Sequence, residues 1–178
     1  TSGVRYVTLP GIYNSGPTHW QTLWEADDAM VRFEPSDWDE PQVDDWVAAV
    51  DAAVSSDEQA VLVAHSLACM LVPIWASRSS LSVAGAFMVA PVDPDSVAFP
   101  AAGFEFAGFP RGPLGFPALV VGSLNDHYAT TAWVHRFAED LGADFVVAGA
   151  LGHINADSGL GSWEQGRGLL ASFVADLS

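Results

Sequence analysis

The sequence predicts an α/β fold: a doubly wound, mostly parallel sheet of about six strands with helices on both faces. Apolar runs of strand length alternate with segments of helical period along the whole chain. One of these runs leads through a serine flanked by small residues directly into a helical pattern. Neither a repeat nor a linker interrupts the alternation, so we expect residues 1–178 to form a single domain.

Each element follows from its local pattern. Pro17 can begin the first helix, because a residue in the first turn has no intrahelical N–H bond to lose. In the second helix the apolar residues recur at helical spacing, which indicates a core-facing stripe. The predicted strands are Val4–Leu9, Met30–Phe33, Ala60–Ala64, Ala84–Val89, Ala118–Val121 and Phe145–Ala148. The predicted helices are Pro17–Ala26, Val43–Val54, Leu67–Ser77, Ala129–Leu141 and Ser162–Asp176.

The segment from Pro91 to Pro117 breaks this rhythm. It holds six prolines and five phenylalanines, a proline density that predicts a long irregular excursion without regular elements. Two interpretations of its phenylalanines stay open: they line an apolar pocket, or they pin the segment to the core.

Composition and charge exclude several classes of partner. The chain has 22 acidic residues against six arginines, and its formal net charge is −16. Nucleic acids and anionic membranes carry phosphates, so we expect neither as a partner. No basic and apolar leader or membrane-length apolar run is seen, which predicts a cytoplasmic protein. The lone Cys69 excludes an internal disulfide and is interpreted as a buried packing residue.

A nucleophile elbow is predicted at Ser66. The apolar run before it, the small Ala64 and Ala68 two residues to either side, and the helical pattern behind it are typical of a strand, a sharp turn and a helix with a serine at the apex. A serine hydroxyl needs a base and an acid that orients the base. Loops after two later strands offer both, as Asp126 and His153. Asp93 is a rival acid, but Pro91 and Pro94 around it favour a plain turn.

A tetrahedral intermediate also needs donors for its oxyanion. The backbone N–H of Leu67, at the start of the helix, is the first candidate. The second should come from the loop after the first strand, where Gly11 allows a close approach to the elbow. We expect the Ile12 N–H to be this donor, with Tyr13 as the alternative.

The remaining polar and aromatic residues are assigned as follows. His65 should point away from the site and form hydrogen bonds, whereas His127 and His135 are loop and surface residues. We expect Trp24 and Trp46 in the core, and His19 and Trp38 either in the core or at a pocket. Tyr13, Asn14 and Trp38 are the candidates for substrate contact.

Histidines, cysteines and acids do not cluster at metal-ligand spacing and no glycine-rich phosphate loop is present, so neither a metal nor a cofactor is expected.

Several short motifs together resemble the YdeN-like small serine hydrolases, the family that includes human retinoblastoma-binding protein nine. They are Pro10-Gly11, Asn14-Ser15-Gly16, His19-Trp20-Gln21, Trp24-Glu25, Asp37-Trp38, Pro41, Trp46, His65-Ser66-Leu67, Asn125-Asp126, Gly152-His153-Ile154-Asn155 and Trp163. The resemblance implies a minimal α/β-hydrolase without a large cap, with a catalytic triad at Ser66, Asp126 and His153. Ala68 stands where the family usually has glycine.

The resemblance also bears on function. The family's namesake partner recognises a Leu-x-Cys-x-Glu peptide, but Leu71 replaces the glutamate here, so retinoblastoma-type peptide binding is not expected. Ester hydrolysis is the family's usual activity, and aminopeptidase-like activity has been suggested for one member. We therefore expect a serine hydrolase acting on small carboxylic esters or amides. The alternative is a binding or regulatory protein on a hydrolase scaffold.

Overall fold

The computed structural model describes residues 4–27, 29–55 and 59–177. Its described part contains a six-stranded sheet in which every neighbouring pair is parallel, in the order β2-β1-β3-β4-β5-β6. The predicted span of 1–178 includes a few residues outside the described ranges. The strands are β1 Arg5–Leu9, β2 Met30–Arg32, β3 Ala60–His65, β4 Gly85–Val89, β5 Ala118–Gly122 and β6 Asp144–Val147.

In the described ranges five α-helices connect or follow these strands, and most begin and end close to their predicted bounds. They are α1 Trp20–Trp24, α2 Val43–Val54, α3 Ala68–Arg78, α4 Thr131–Asp140 and α5 Glu164–Ala175. The prediction for α1 is wrong at its start, which lies at Trp20 and not at Pro17. His19 caps this helix, because its side chain accepts a hydrogen bond from the Gln21 N–H.

Both faces of the sheet are covered. All six residues of β3 are buried, and alternate side chains join two different cores. Leu62 packs in the core that includes α2, α3 and α4, with Trp46 at 0% exposure. Val63 packs in the core on the other face. Trp24 of α1 and Leu170 of α5 belong to the same core. A strand buried on both faces has a continuous apolar sequence, as β3 does.

The segment from Pro91 to Pro117 is more regular than predicted. A 3₁₀ helix spans Ala101–Gly108, between Pro100 and Pro110, so the expectation of a wholly irregular excursion is wrong. Phe106 is buried against Trp46, with ring centroids 5.5 Å apart. Phe109 is buried as well, 5.4 Å from the ring of Phe137 in α4. These contacts favour the interpretation that Phe106 and Phe109 pin the segment to the core, whereas Phe104 is exposed.

The parallel topology positions the candidate site. The loops after β1, β3, β5 and β6 all leave the same edge of the sheet, because parallel strands end on one side. Side chains that are distant in the sequence can therefore meet there. Among the helices of the described ranges, none is long and apolar enough to cross a membrane.

Candidate active site

Ser66 occupies a sharp left-handed turn between β3 and α3. Its φ is 60°, a conformation that costs free energy for a residue with a side chain. The turn is held by a 3.0 Å hydrogen bond from the Ser66 N–H to the carbonyl of Val89 in β4. Ala64 and Ala68 on either side are fully buried, so larger residues would have no room. This is the strand–turn–helix geometry that the sequence predicts.

Three predicted side chains meet at this turn. The Oγ of Ser66 lies 2.8 Å from Nε2 of His153, which follows β6. The Nδ1 of His153 lies 2.9 Å from Oδ2 and 3.1 Å from Oδ1 of Asp126, which follows β5. The side chain of Asp126 is 2% exposed and that of His153 is 10% exposed. The arrangement is a continuous hydrogen-bonded chain from a hydroxyl through an imidazole to a buried carboxylate.

Two residues, for which the sequence predicted no role, tie the acid loop to the histidine loop. The Oδ1 of Asn125 accepts a 2.7 Å hydrogen bond from the Gly152 N–H. Ser123 Oγ accepts one of 2.9 Å from the Leu151 N–H and donates to Asn125 Oδ1 at 3.1 Å. Their sequence signal was the polar Ser123-Leu124-Asn125-Asp126 turn itself. These bonds fix the loop that carries the Asp126 carboxylate against the loop that carries the His153 imidazole.

Tyr128 supports the same pair from another side. Its N–H donates to Oδ1 of Asp126 at 2.9 Å, and its ring lies 4.2 Å from the ring of His153. The rival acid Asp93 is instead a turn residue, because its carboxylate accepts the Asp95 N–H at 2.8 Å. The structure thus brings Asp126, and not Asp93, to the histidine.

The loop after β1 passes very close to the elbow. A Cβ placed on Gly11 would lie 3.1 Å from the Cβ of Ser66 and 3.2 Å from the backbone nitrogen of Leu67. The N–H of Tyr13 is already engaged by the carbonyl of Trp38 at 2.9 Å. Within the described ranges, the N–H groups of Ile12 and Leu67 have no protein acceptor. Ile12 is therefore the better candidate for a donor directed at the site.

The turn at Tyr13 and Asn14 is anchored by a partly buried ion pair that the sequence did not reveal. Both residues have positive φ, 68° and 66°. Asn14 Oδ1 accepts from the Ser15 N–H at 2.8 Å and from Arg32 at 2.7 Å. Arg32 in turn donates its Nε–H to Glu25 at 2.8 Å. The guanidinium thus links the loop beside the elbow to α1 and β2.

A cavity of about 200 Å³ opens beside Ser66. Tyr13 and Asn14, two of the candidates for substrate contact, line it together with Gly11, Ile12, Ser15, His19, His65, Pro100, Tyr128, His153 and Asn155. Trp38 is not among the lining residues, and none of the five phenylalanines is. Trp38 packs edge-on against Phe33 and Trp46, at 5.5 Å and 5.7 Å between centroids. The structure therefore places the side chain of Trp38 against the core.

The sequence predicted that His65 points away from the site, and this prediction is wrong. Its ring lies 5.0 Å from the ring of His153, and its Nε2–H donates to the backbone carbonyl of His153 at 2.9 Å. Burial lowers the pKa of His65 well below the usual value, so the ring is neutral. The expected hydrogen-bonding role is confirmed, but the partner is the backbone of the neighbouring histidine itself.

His127, His135 and Cys69 lie where the sequence predicted them. His127 and His135 are exposed. Cys69 is buried, its thiol 3.3 Å from the carbonyl of Val89, and burial raises its pKa well above the usual value. Within the described residues, no group of three histidines, cysteines or acids could hold a metal ion.

Comparison with known proteins assigns the family. A family model described as serine hydrolase matches residues 6–172. A search of curated proteins finds no match. A solved structure described as a YdeN-like hydrolase from Pectobacterium atrosepticum is 29% identical, has a TM-score of 0.86, and covers 98% of this chain and 92% of its own. The ydeN gene product of B. subtilis is 19% identical with a TM-score of 0.78, over 98% and 100%.

More distant structures share the fold alone. The esterase domain of a Rhodothermus marinus protein is 14% identical with a TM-score of 0.68, and covers 96% of this chain and 87% of its own. The chain has a parallel sheet between two layers of helices, and no cap domain is present in its described part. The chain belongs to the serine hydrolase family, in its YdeN-like group, with the α/β-hydrolase fold.

Proposed function

We propose that the protein hydrolyses small carboxylic esters, and amides as a second class, through an acyl-enzyme on Ser66. The single observation that carries this proposal is the hydrogen-bonded chain from Ser66 through His153 to Asp126, with 2.8 Å and 2.9 Å between the heavy atoms. A nucleophile, a base and an orienting acid in contact are the minimum that acyl transfer by a serine needs.

The first half of the reaction uses the tautomer that Asp126 selects. The carboxylate accepts the Nδ1–H of His153, so Nε2 carries the lone pair and accepts the Ser66 hydroxyl proton. Ser66 Oγ attacks the substrate carbonyl as its proton moves to Nε2. The Asp126 carboxylate stabilises the imidazolium that forms.

The oxyanion of the tetrahedral intermediate accepts from the N–H groups of Leu67 and Ile12. Both are free of protein acceptors within the described ranges, and Leu67 stands at the N-terminal end of α3, where the helix dipole favours negative charge. His153 returns the proton to the leaving alcohol or amine. A water molecule, deprotonated by His153, then attacks the acyl-enzyme and releases the acid.

The cavity and the charge support small, uncharged or cationic substrates. A cavity of about 200 Å³ is smaller than a typical drug-sized pocket of roughly 300–1,000 Å³, which favours short acyl groups. The net charge of −16 disfavours polyanionic substrates. Peptide binding through Leu67, Cys69 and Leu71 is disfavoured as well, because all three are fully buried.

The test combines a covalent probe with turnover. We expect a fluorophosphonate to label the protein at Ser66, and p-nitrophenyl acetate to be hydrolysed. Ser66→Ala should abolish labelling and lower kcat by about 10³-fold or more. Ser80→Ala, at an exposed serine beyond the C-terminal end of α3, is the matched control and should behave as wild type. A folded protein that neither labels nor turns over would favour a binding or regulatory role instead.

A further inference from the structure

His19 stands at the cavity with a fixed tautomer. It caps α1, and its Nδ1 accepts the Gln21 N–H at 3.0 Å. An accepting Nδ1 carries the lone pair, so the single proton of a neutral imidazole must reside on Nε2. The cap therefore presents Nε2 as a hydrogen-bond donor.

The ring stays neutral at physiological pH. Burial, with Arg32 and His153 as further causes, lowers the pKa of His19 to about 4. The residue as a whole is only 4% exposed. His19 is thus a permanent neutral donor, and no titration changes its role near neutral pH.

The Nε2–H of His19 lacks a partner. Among the buried side-chain nitrogen and oxygen atoms of the described ranges, it is one of two without a hydrogen bond, and the other, Nε1 of Trp163, is not at the cavity. Its polar neighbours at the cavity are paired: Ser15 Oγ donates to Gln21, and His65 donates to the carbonyl of His153. A buried donor without an acceptor is costly and uncommon in a folded protein.

The position of this donor points to the substrate. His19 lines the same cavity as Ser66, and its ring lies 4.7 Å from that of His65, which itself lies 5.0 Å from His153. We propose that His19 Nε2–H is a substrate-binding donor that selects esters carrying an uncharged acceptor oxygen close to the scissile carbonyl. Esters of alkoxy or hydroxy acids, or of alkoxy alcohols, have this chemistry. The inference rests on the proposed ester hydrolysis.

Two pairs of isosteric esters test it. p-Nitrophenyl methoxyacetate and p-nitrophenyl butyrate differ by an ether oxygen in place of one methylene of the acyl group. 2-Methoxyethyl acetate and butyl acetate differ in the same way in the alcohol. For each pair the ratio of kcat/KM, oxygen ester over methylene ester, is compared between wild type and variants, so that intrinsic reactivity cancels.

Two substitutions separate the donor from the cap. His19→Asn keeps an acceptor for the Gln21 N–H but has no donor at the Nε2 position. His19→Gln keeps an N–H donor near that position and loses the cap. In at least one pair we expect the ratio to fall about tenfold in His19→Asn, the factor that one neutral hydrogen bond supplies, and to be largely retained in His19→Gln. His135→Asn, at an exposed histidine on α4, is the control and should leave the ratio unchanged.

The outcomes are distinct. Equal ratios in wild type and both variants, with esters still hydrolysed, would overturn this inference and leave the proposed function standing. Ratios that fall in both variants in step with their melting temperatures would also overturn it, because only the cap would then matter. Failure of wild type to cleave any of these esters, together with absent labelling of Ser66, would overturn the proposed function and this inference with it.

Discussion

Gly11→Ala should impair the chemical step more than the fold. The added Cβ would lie 3.1 Å from the Ser66 Cβ, 3.1 Å from the His65 carbonyl oxygen and 3.2 Å from the Leu67 nitrogen. Carbon atoms pack best at about 3.5–4.0 Å, so the loop must retreat by roughly half an ångström. The atoms that it meets belong to the backbone and Cβ of the elbow and cannot rotate away. The retreat carries the Ile12 N–H away from the oxyanion.

The magnitude follows from the value of one donor. Complete loss of an oxyanion donor costs about 10²–10³ in kcat, and misplacement by about 1 Å can cost about 10²-fold. For half an ångström we expect kcat to fall about 10- to 100-fold, or about 1.4–2.8 kcal/mol of barrier.

Steady-state hydrolysis of p-nitrophenyl acetate and thermal unfolding by circular dichroism measure the two effects. Gly16→Ala is the matched control on the same loop, because a Cβ there meets nothing within 4 Å. It should leave kcat unchanged. A folded Gly11→Ala variant with wild-type kcat would contradict the placement of the oxyanion donor on this loop.

Three further predictions concern Asp126, the loop that holds it, and the buried His19. Asp126→Asn should lower kcat about 10⁴-fold, because the amide no longer selects the Nδ1–H tautomer of His153; a loss below tenfold in the p-nitrophenyl acetate assay would count against its role. Asn125→Ala leaves the Gly152 N–H without its 2.7 Å acceptor, so kcat should fall about tenfold and the melting temperature should drop, whereas an unaltered kcat would show that the loops need no such tie. In the unfolded chain His19 becomes protonated below about pH 6.5, whereas the folded protein holds its pKa at about 4. The contribution of His19 to the free energy of unfolding is therefore full above pH 6.5 and is lost as the pH falls toward 4. In urea unfolding, the contribution of His19 to the free energy of unfolding should be about 2 kcal/mol smaller at pH 5 than at pH 7.5. If wild type and His19→Asn show the same dependence of this free energy on pH, His19 is excluded as its cause.

Local rules predicted most of the fold and failed where two local signals competed. The apolar β3, with small residues around Ser66, admits few alternatives to a buried strand and a tight turn. At α1, Pro17 is a good first-turn residue, but the His19 side chain offers a cap to the Gln21 N–H and the helix begins there instead. Between Pro100 and Pro110 the proline density excludes a long α-helix, yet eight residues free of proline suffice for a 3₁₀ helix.

The candidate site was predictable in its identities and not in its contacts. Chain order alone indicated Ser66, Asp126 and His153, because acid and base follow successive strands of a parallel sheet. It left Asp93 and Tyr13 as alternatives, and it misplaced the ring of His65. The structure distinguishes these cases through hydrogen bonds between segments far apart in the chain: the Tyr13 N–H is taken by Trp38, and His65 reaches the carbonyl of His153.

Periodicity, residue size and turn preference act between neighbours in the chain, so the amino-acid order already specified the alternating strands and helices, the cramped serine turn and the three residues of the hydrogen-bonded chain. Folding assigned what depends on loops meeting at one edge of the sheet. It placed Trp38 against the core, joined Asn125 to Gly152, and left the Nε2–H of His19 without an acceptor. Each donor takes whichever acceptor packing brings within about 3 Å, and that choice is made by the whole chain.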